Sequence, residues 1–538
     1  MIAMFLHTLS LLAVSAMLTE PLEWLYPDSS VGSVTRLTET DVPSNGVAEA
    51  NVLLNGLEAG TPVSFSSSVP GGEFFRLVDV AVVRNTGLDG GLERGGVTNS
   101  FVTRRAPFRA YDAMEPLEGG SFVPTNATAA LRFRLKDFGG RTGALPVRIA
   151  VGQGTFRQEL DFRINVHAAA VPPVGRDSFK YTNWLGCWWV CKCHGLQTKC
   201  WGPEHRDLIR RYVRLAVHGR QNMVLVPIFD LGLDERRIRE FVEMVTAEGI
   251  HYLEGAHLAS FSTGNWGAPA FVPRGSTNLT TSAAGTAKLE KMAADLYRII
   301  ERNGWKDRWY QHVADEPSAR NEAEFVKTCA IVRRQMPGVR LLDAIETTKI
   351  AGALDAYCPK NDQYEKNRAA YGALKMRPTD ELWCYTCMFP GGKWMNRLID
   401  QELLRPVLLP WGCRLFGLDG YLHWGFNQYG PENDPLRFGY AYDLKAPYQL
   451  PPGDSNIVYA GPKGPWPSVR LEAMRQGMED LELLRMLAAD DPKAADALVG
   501  RLVRGFGDYE TSVRTYRAVR RELLGRVGLK REKGRETK

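Results

Sequence analysis

The sequence predicts a multidomain β plus α/β protein: an N-terminal β-sandwich, then a (β/α)8 TIM-type barrel, then a C-terminal helical annex. Three observations carry this reading. From about residue 20 to 170, short runs alternate apolar and polar residues between Gly, Pro and Asn turns, as in 130–136 (ALRFRLK), 146–151 (PVRIAV) and 156–166 (FRQELDFRINV), the pattern of half-buried antiparallel strands. Residues 168–176 (AAAVPPVGR) then form a proline-rich hinge, as linkers do. Beyond it the rhythm changes to strand, loop, helix, and eight strand-like runs precede residue 420, which is the signature of an α/β barrel of ~250 residues. The implied division is 1–18 as a candidate secretory leader, 19–170 as the sandwich, 171–178 as linker, 179–490 as the barrel, and 491–538 as helices and basic tail.

The barrel strands are expected to start at Lys180, Asn222, His251, Trp309, Val339, Leu354, Glu381 and Cys413. Between them, helical patterns cover 203–218, opening on a favoured first-position Pro203, then 234–248, 287–302, 321–336, 364–374 and 393–402. Residues 259–286 read as a long Gly, Ser, Thr and Pro loop. Residues 345–353 are too few for a full crossover helix between the fifth and sixth strands. A strong helix over 467–489 completes the barrel wall, and basic amphipathic helices follow to residue 528.

Composition excludes several function classes. With 44% hydrophobic and 24% charged residues the chain is ordinary globular protein, and past residue 20 no apolar run approaches the roughly 18 residues a membrane span needs. The net charge of +6 draws half its excess from residues 530–538 (KREKGRETK), so the body is nearly balanced and no nucleic-acid partner is expected. Residues 1–16 are apolar and end in Val14-Ser15-Ala16, which resembles a secretory cleavage site although no Lys or Arg precedes the run. A secreted or periplasmic location is expected, with a cytoplasmic one as the alternative. The nine cysteines are an odd number, and Cys187, Cys191, Cys193 and Cys200 crowd one stretch around His194. Their spacing offers no second zinc knuckle. Buried or free thiols are therefore expected, with a disulfide or a metal as alternatives, and neither metal nor cofactor is assigned. Cys384 and Cys387 lie in a strand-like run rather than at a helix start, where a structural role is expected rather than a redox one.

In a barrel of this type the chemistry lies just past the C-terminal ends of the strands. The fourth strand ends in His312-Val313-Ala314-Asp315-Glu316-Pro317. Two adjacent carboxylates repel, which raises the proton affinity of one and leaves the other ionised, the division an acid and base pair needs. Both reach one pocket only if the chain has already left the strand, and Pro317 is expected to hold Glu316 extended. An Asp-Glu dipeptide in isolation more often just caps a helix. The other strand mouths supply Asn183 and Trp184, Glu254 and His257, Asp343 and Glu346, Trp383 and Tyr385, and Asp419, His423, Trp424 and Asn427. Aromatic faces beside amides and carboxylates suit a sugar ring, whose C–H face stacks while its hydroxyls pair.

Together with Asp315-Glu316-Pro317, the segments 181–184 (YTNW), 193–195 (CHG), 218–223 (HGRQNM), 464–472 (GPWPSVRLE) and 477–480 (GMED) resemble glycoside hydrolase family 123 over roughly residues 120–490. The resemblance implies an exo-acting β-N-acetylgalactosaminidase that works by substrate-assisted retention on a glycan or glycoconjugate. It implies that Glu316 protonates the leaving oxygen and later activates water. It also implies that Asp315 orients the 2-acetamido N–H and stabilises an oxazolinium intermediate, so no protein nucleophile is needed. By position, Tyr385 is expected to donate to the acetamido oxygen, Trp424 or Trp383 to lie beneath the ring, and Asn183, Trp184, Glu254, His257 and Asn427 to bind substrate. The cysteine-rich stretch departs from the family pattern in the first strand–helix loop. Two alternatives stand: a glycosidase on a non-acetylated sugar with Glu254 or Asp343 as nucleophile or base, and a non-catalytic carbohydrate-binding protein.

Overall fold

The computed structural model describes residues 13–438 and 450–536, with side chains through Leu529. The chain divides into two compact units, one comprising residues 13–81, 108–171 and 520 onward, the other 82–107 and 172–519.

Unit 1 is built from ten strands: β1 Ser15–Thr19, β2 Glu39–Pro43, β3 Ala48–Asn55, β4 Val63–Ser67, β5 Glu73–Val82, β6 Phe108–Pro116, β7 Ser121–Phe122, β8 Ala129–Leu135, β9 Gly143–Gln153 and β10 Phe156–His167. They form two five-stranded sheets, ordered β1-β3-β8-β5-β6 and β2-β10-β9-β4-β7. The alternation expected of β10 is observed, with Leu160, Phe162, Ile164 and Val166 buried between exposed or half-buried neighbours. These side chains join Val52, Phe74 and Phe133 of the other sheet in one hydrophobic cluster, where the Phe133 and Phe162 rings meet edge to face at 6.0 Å. Of the candidate leader, residues 1–12 lie outside the described residues, whereas Ser15 and Ala16 already belong to β1 and pair with Asn55 and Leu54.

Unit 2 is organised by an eight-stranded parallel sheet: β11 Lys180–Asn183, β12 Met223–Val226, β13 Tyr252–Gly255, β16 Trp309–Gln311, β17 Arg340–Ile345, β18 Ala356–Pro359, β19 Glu381–Thr386 and β20 Gly420–His423. A small hairpin, β14 Ala259–Phe261 and β15 Phe271–Pro273, occupies part of the expected long loop. The sheet order is β11-β20-β19-β18-β17-β16-β13-β12. Its end strands also approach one another, since Asn222 N–H donates to the Tyr181 carbonyl at 3.3 Å and the Asn222 side chain accepts from Tyr181 N–H at 3.0 Å. The sheet is thus nearly closed, and Met223, Tyr310, Leu342, Cys358, Trp383 and Leu422 pack inside it.

The helices in chain order are α1 Cys187–Cys193, α2 Pro203–His218, α3 Glu235–Ala247, α4 Ala283–Arg302, α5 Glu322–Gln335, α6 Asn361–Lys366, α7 Arg368–Gly372, α8 Leu404–Phe416, α9 Pro435–Phe438, α10 Val469–Asp490, α11 Pro492–Leu502 and α12 Val513–Glu536. Their starts follow capping chemistry. Asp234 accepts from Arg237 N–H, Ser282 from Gly285 N–H and Ser468 from Leu471 N–H.

Two expectations are corrected. The run from Cys413, expected as the eighth strand, is the end of α8, which closes on Gly417 at φ 64°, and the eighth strand is β20. A short apolar run has the same pattern in a buried helix as in a buried strand, and α8 is buried on every side from Leu404 to Cys413. Residues 393–402, expected as a helix, are irregular because their side chains bond to backbone instead. Asn396 donates to the Cys387 and Pro390 carbonyls at 2.8 and 3.0 Å.

Candidate active site

β16 stops at Gln311, so the chain has left the sheet before Asp315 and Glu316. Both carboxylates thereby escape the strand alternation that would separate them. Glu316 is not extended as expected but sits at φ 44°, a left-handed conformation that costs a non-glycine residue about 1 kcal/mol and persists only where its surroundings enforce it. The restraints are visible. Glu316 Oε1 accepts the Tyr385 hydroxyl from the end of β19, and the carbonyl of Pro317 accepts Glu346 N–H at 2.9 Å. The Asp315 side chain is 29% exposed, and Glu316 is half-buried. Burial pushes both carboxyls up, to about 7. The charge of Asp343 adds to the rise of Asp315, and that of Asp315 to the rise of Glu316.

A fully buried polar layer lies beneath the pair. His312 faces Asp343 Oδ1 through Nδ1 and Glu254 Oε2 through Nε2, each at 3.0 Å. Asp343 Oδ2 accepts the N–H groups of Val313 and Ala314 at 3.0 and 3.3 Å, which fixes the segment leading into Asp315. Glu254 Oε2 also accepts Trp184 Nε1–H at 3.0 Å. The half-buried Trp184 ring stands edge-on to His257 and His312 at 5.5 and 5.4 Å. His257 Nε2 lies 3.4 Å from Asp343 and 3.8 Å from Asp315, and burial pushes its proton affinity down.

Two further groups border the mouth. Lys360, just past β18, is paired with Glu346 and lies 5.8 Å from the centre of the Tyr385 ring. Burial opposes its charge, but the charges of Glu316 and Glu346 outweigh that and keep the ammonium protonated. Beyond β20, the half-buried Trp424 donates its Nε1–H to Asp454 at 3.1 Å. Asp454 is fully buried and pushed up to about 7 by burial, an effect that its Trp424 bond and the Arg397 and Arg470 charges only partly offset. His423 accepts at Nδ1 from Arg397 at 2.7 Å and Gly425 N–H at 3.0 Å, so its proton is on Nε2, 3.7 Å from Asp454.

The arrangement groups Asp315, Glu316, Trp184, His257, Tyr385 and Trp424 and sets other sequence candidates apart. Trp383 is fully buried and donates to Glu381 at the start of the same strand. It shares a face with Tyr385 but lies two residues, about 7 Å, further down the barrel, so it is core and not a platform. Glu254 is fully buried beneath Trp184. Asn183 spends its side chain on Arg397 and Gln221. Asn427 clasps Gly186, accepting its N–H at 2.8 Å and donating to its carbonyl at 3.2 Å. The Tyr385 hydroxyl, expected to face an acetamido oxygen, is engaged with Glu316. Sequence reasoning missed Lys360, although the rule of searching just past each strand applies to it. It also passed over His312 and Asp454, whose partners are distant in sequence.

Among the described residues, two groupings have metal-ligand types within 4.8 Å of one another. In the first, His257, His312 and Asp343, both His312 nitrogens are already taken by carboxylates. In the second, Cys191 and Cys200 are joined in a disulfide and His205 bonds Trp201 N–H and the Cys187 carbonyl. That disulfide is the alternative weighed against free thiols for the cysteine-rich stretch.

Residues 274–487 match the family model described as glycoside hydrolase 123, catalytic domain. A family 123 glycoside hydrolase from Clostridium perfringens, solved in a study of glycolipid glycan hydrolysis, superposes with a TM-score of 0.67 at 12% identity, covering 97% of this chain and 98% of that one. A β-glucuronidase from Parabacteroides merdae aligns at 0.34 with 10% identity, over 81% of this chain and 51% of its own. The endo-1,4-β-D-xylanase 10B of Clostridium thermocellum aligns at 0.32 with 10% identity, over 86% and 93%. No curated protein matches. The matched segment contains Asp315, Glu316 and most of α10, so residues 274–487 are similar to the catalytic domain of glycoside hydrolase family 123, and the chain shares the fold of a family 123 enzyme.

Proposed function

We propose that the enzyme removes terminal β-linked N-acetylgalactosamine by substrate-assisted retaining hydrolysis, with Glu316 as acid and then base and Asp315 as the carboxylate that holds the 2-acetamido N–H. The observation that carries this reading is how the neighbouring carboxylates are used. Asp343 and Glu254 are fully buried and bonded to His312, Asp454 is fully buried beside Trp424, and Glu346 is paired with Lys360. Of the carboxylates described above at this mouth, the adjacent Asp315 and Glu316 are the ones left for substrate. Side by side in sequence, they do not supply a nucleophile on the opposite face of a sugar from the acid, so the substrate's acetamido oxygen takes that role.

In the proposed course, protonated Glu316 gives its proton to the glycosidic oxygen as the acetamido oxygen attacks the anomeric carbon. The leaving group departs as the alcohol and an oxazolinium forms. Asp315 accepts the acetamido N–H and offsets the developing positive charge. Glu316, now ionised and steadied by Tyr385, then takes a proton from the water that opens the ring and restores the sugar. Trp424, held by Asp454, is the platform. A location outside the cytoplasm is part of this reading, and the Cys191–Cys200 disulfide supports it, since such bonds persist in oxidising compartments.

A panel of aryl β-glycosides differing at C2 and C4 tests the reading. Hydrolysis confined to 2-acetamido sugars with the galacto isomer preferred, and inhibition by a thiazoline mimic of the oxazoline, are expected. Comparable turnover of the 2-hydroxy sugars would overturn it.

A further inference from the structure

We propose that His312 is a positioning residue of the reaction: a buried, doubly protonated imidazole that holds Asp343 and Glu254 and places a fixed positive charge beneath Asp315. The inference rests on the role given to Asp315 above and concerns what favours its ionised form against burial and the Asp343 charge.

The bonding pattern fixes the protonation state. His312 is fully buried, and each ring nitrogen faces a carboxylate oxygen at 3.0 Å. An ionised carboxylate only accepts, so both bonds form only if both nitrogens carry hydrogen. Both carboxylates serve as acceptors for other donors as well. Asp343 also receives the Val313 and Ala314 N–H groups, and Glu254 also receives Trp184 Nε1–H. Burial works against the charge, but the bonds to Asp343 and Glu254 outweigh it and push His312 up to about 10.

The charge is needed where it stands. Asp343 alone disfavours a second anion at Asp315, and the His312 charge opposes that effect. The groups facing His312 are Asp343 from β17, Glu254 from β13, the His257 ring at 4.6 Å, and the Trp184 edge at 5.4 Å from beyond β11. Asp315 follows it on its own segment and interacts with it electrostatically. With a neutral group in place of His312, the layer carries two uncompensated anions, and Asp315 keeps its proton to higher pH. A protonated Asp315 is a poorer acceptor for the acetamido N–H at the moment positive charge develops.

The test is the pH dependence of kcat/KM and kcat on an aryl 2-acetamido-2-deoxy-β-galactoside for the native enzyme, H312Q, E254Q and D315N. H312Q is expected to lose about tenfold or more in kcat with little change in KM, and to move the acidic limb upward by about one pH unit. E254Q, which removes an anion from the same layer, is expected to move that limb down. A wholly structural His312 lowers activity in H312Q without moving the limb, which overturns the inference. If D315N turns over like the native enzyme, the reading of Asp315 fails and the inference with it. If D315N is slow while the H312Q limb stays in place, only the inference fails. Should H312Q not fold, nitrogen-15 histidine NMR of the native protein decides. Two ring N–H signals for His312 through pH 8 are expected, and a neutral ring at pH 7 overturns the proposal.

Discussion

The Tyr385 hydroxyl, at the end of the seventh strand of the large sheet, donates to Glu316 beyond the end of the fourth. This bond favours the ionised carboxylate, so it works against the burial that raises Glu316. Y385F is therefore expected to push Glu316 further up and shift the basic limb of the kcat/KM profile to higher pH. Activity at the optimum falls about tenfold, the worth of a hydrogen bond to a charged group. A pH–rate profile of the variant checks it.

Lys360 is a second, independent control of the same limb. Its ammonium pairs with Glu346, and its charge favours the ionised form of Glu316. K360M removes the charge without removing the packing on Tyr385 and Phe389. The basic limb again moves up, and stability falls by about 2 kcal/mol, modest because the uncompensated Glu346 is 31% exposed and keeps contact with water. Thermal denaturation at pH 7 alongside the rate profile separates the two effects.

In unit 1, Asp41 accepts from His167 at 2.8 Å and from Arg521 of α12 at 2.9 Å. Burial would raise its proton affinity, but these partners outweigh it and hold Asp41 down at about 2. A depressed carboxyl stabilises the fold above its unfolded value, about 3.9, and that contribution is lost as pH falls through the folded value. D41N is expected to cost about 2 kcal/mol at pH 6, with the difference from the native protein closing between pH 4 and pH 2. Urea unfolding at a series of pH values measures it.

The Cys191–Cys200 bridge closes a loop with a sequence separation of 9. Removing such a closure costs roughly 2–3 kcal/mol through the entropy of the unfolded chain. The C191S/C200S double variant should show this as a lower melting temperature, and a reducing agent should lower the native protein to the same value while leaving the variant unmoved. A native melting temperature indifferent to reductant would contradict the bridge.

How much of this was legible in the sequence depends on distance along the chain. The strand rhythm located the parallel sheet, and the rule that chemistry gathers at strand ends pointed to Asp315, Glu316, Tyr385 and Trp424 as candidates. Period-two alternation could not tell Trp383 from Tyr385, because it gives the face of a strand and not the depth. The polar layer was illegible for another reason. His312 meets Glu254 across 58 residues and Asp343 across 31, and a buried charge acquires meaning only when its partners are known. The eighth strand was misplaced because α8, buried all round, has no polar stripe to declare its period.

Residues 82–107 leave the strands of unit 1 and belong to unit 2, where Asn85 and Thr86 bond the buried Asp400 and Gly91 N–H reaches the Met388 carbonyl at 2.8 Å. Met388 follows the strand that carries Tyr385. A gene truncated at the proline-rich hinge would therefore encode a catalytic half missing a piece of its own wall, with Asp400 deprived of its donors. The two halves are inherited as one reading frame: swapping the first half for that of a distant relative also exchanges the brace behind Tyr385.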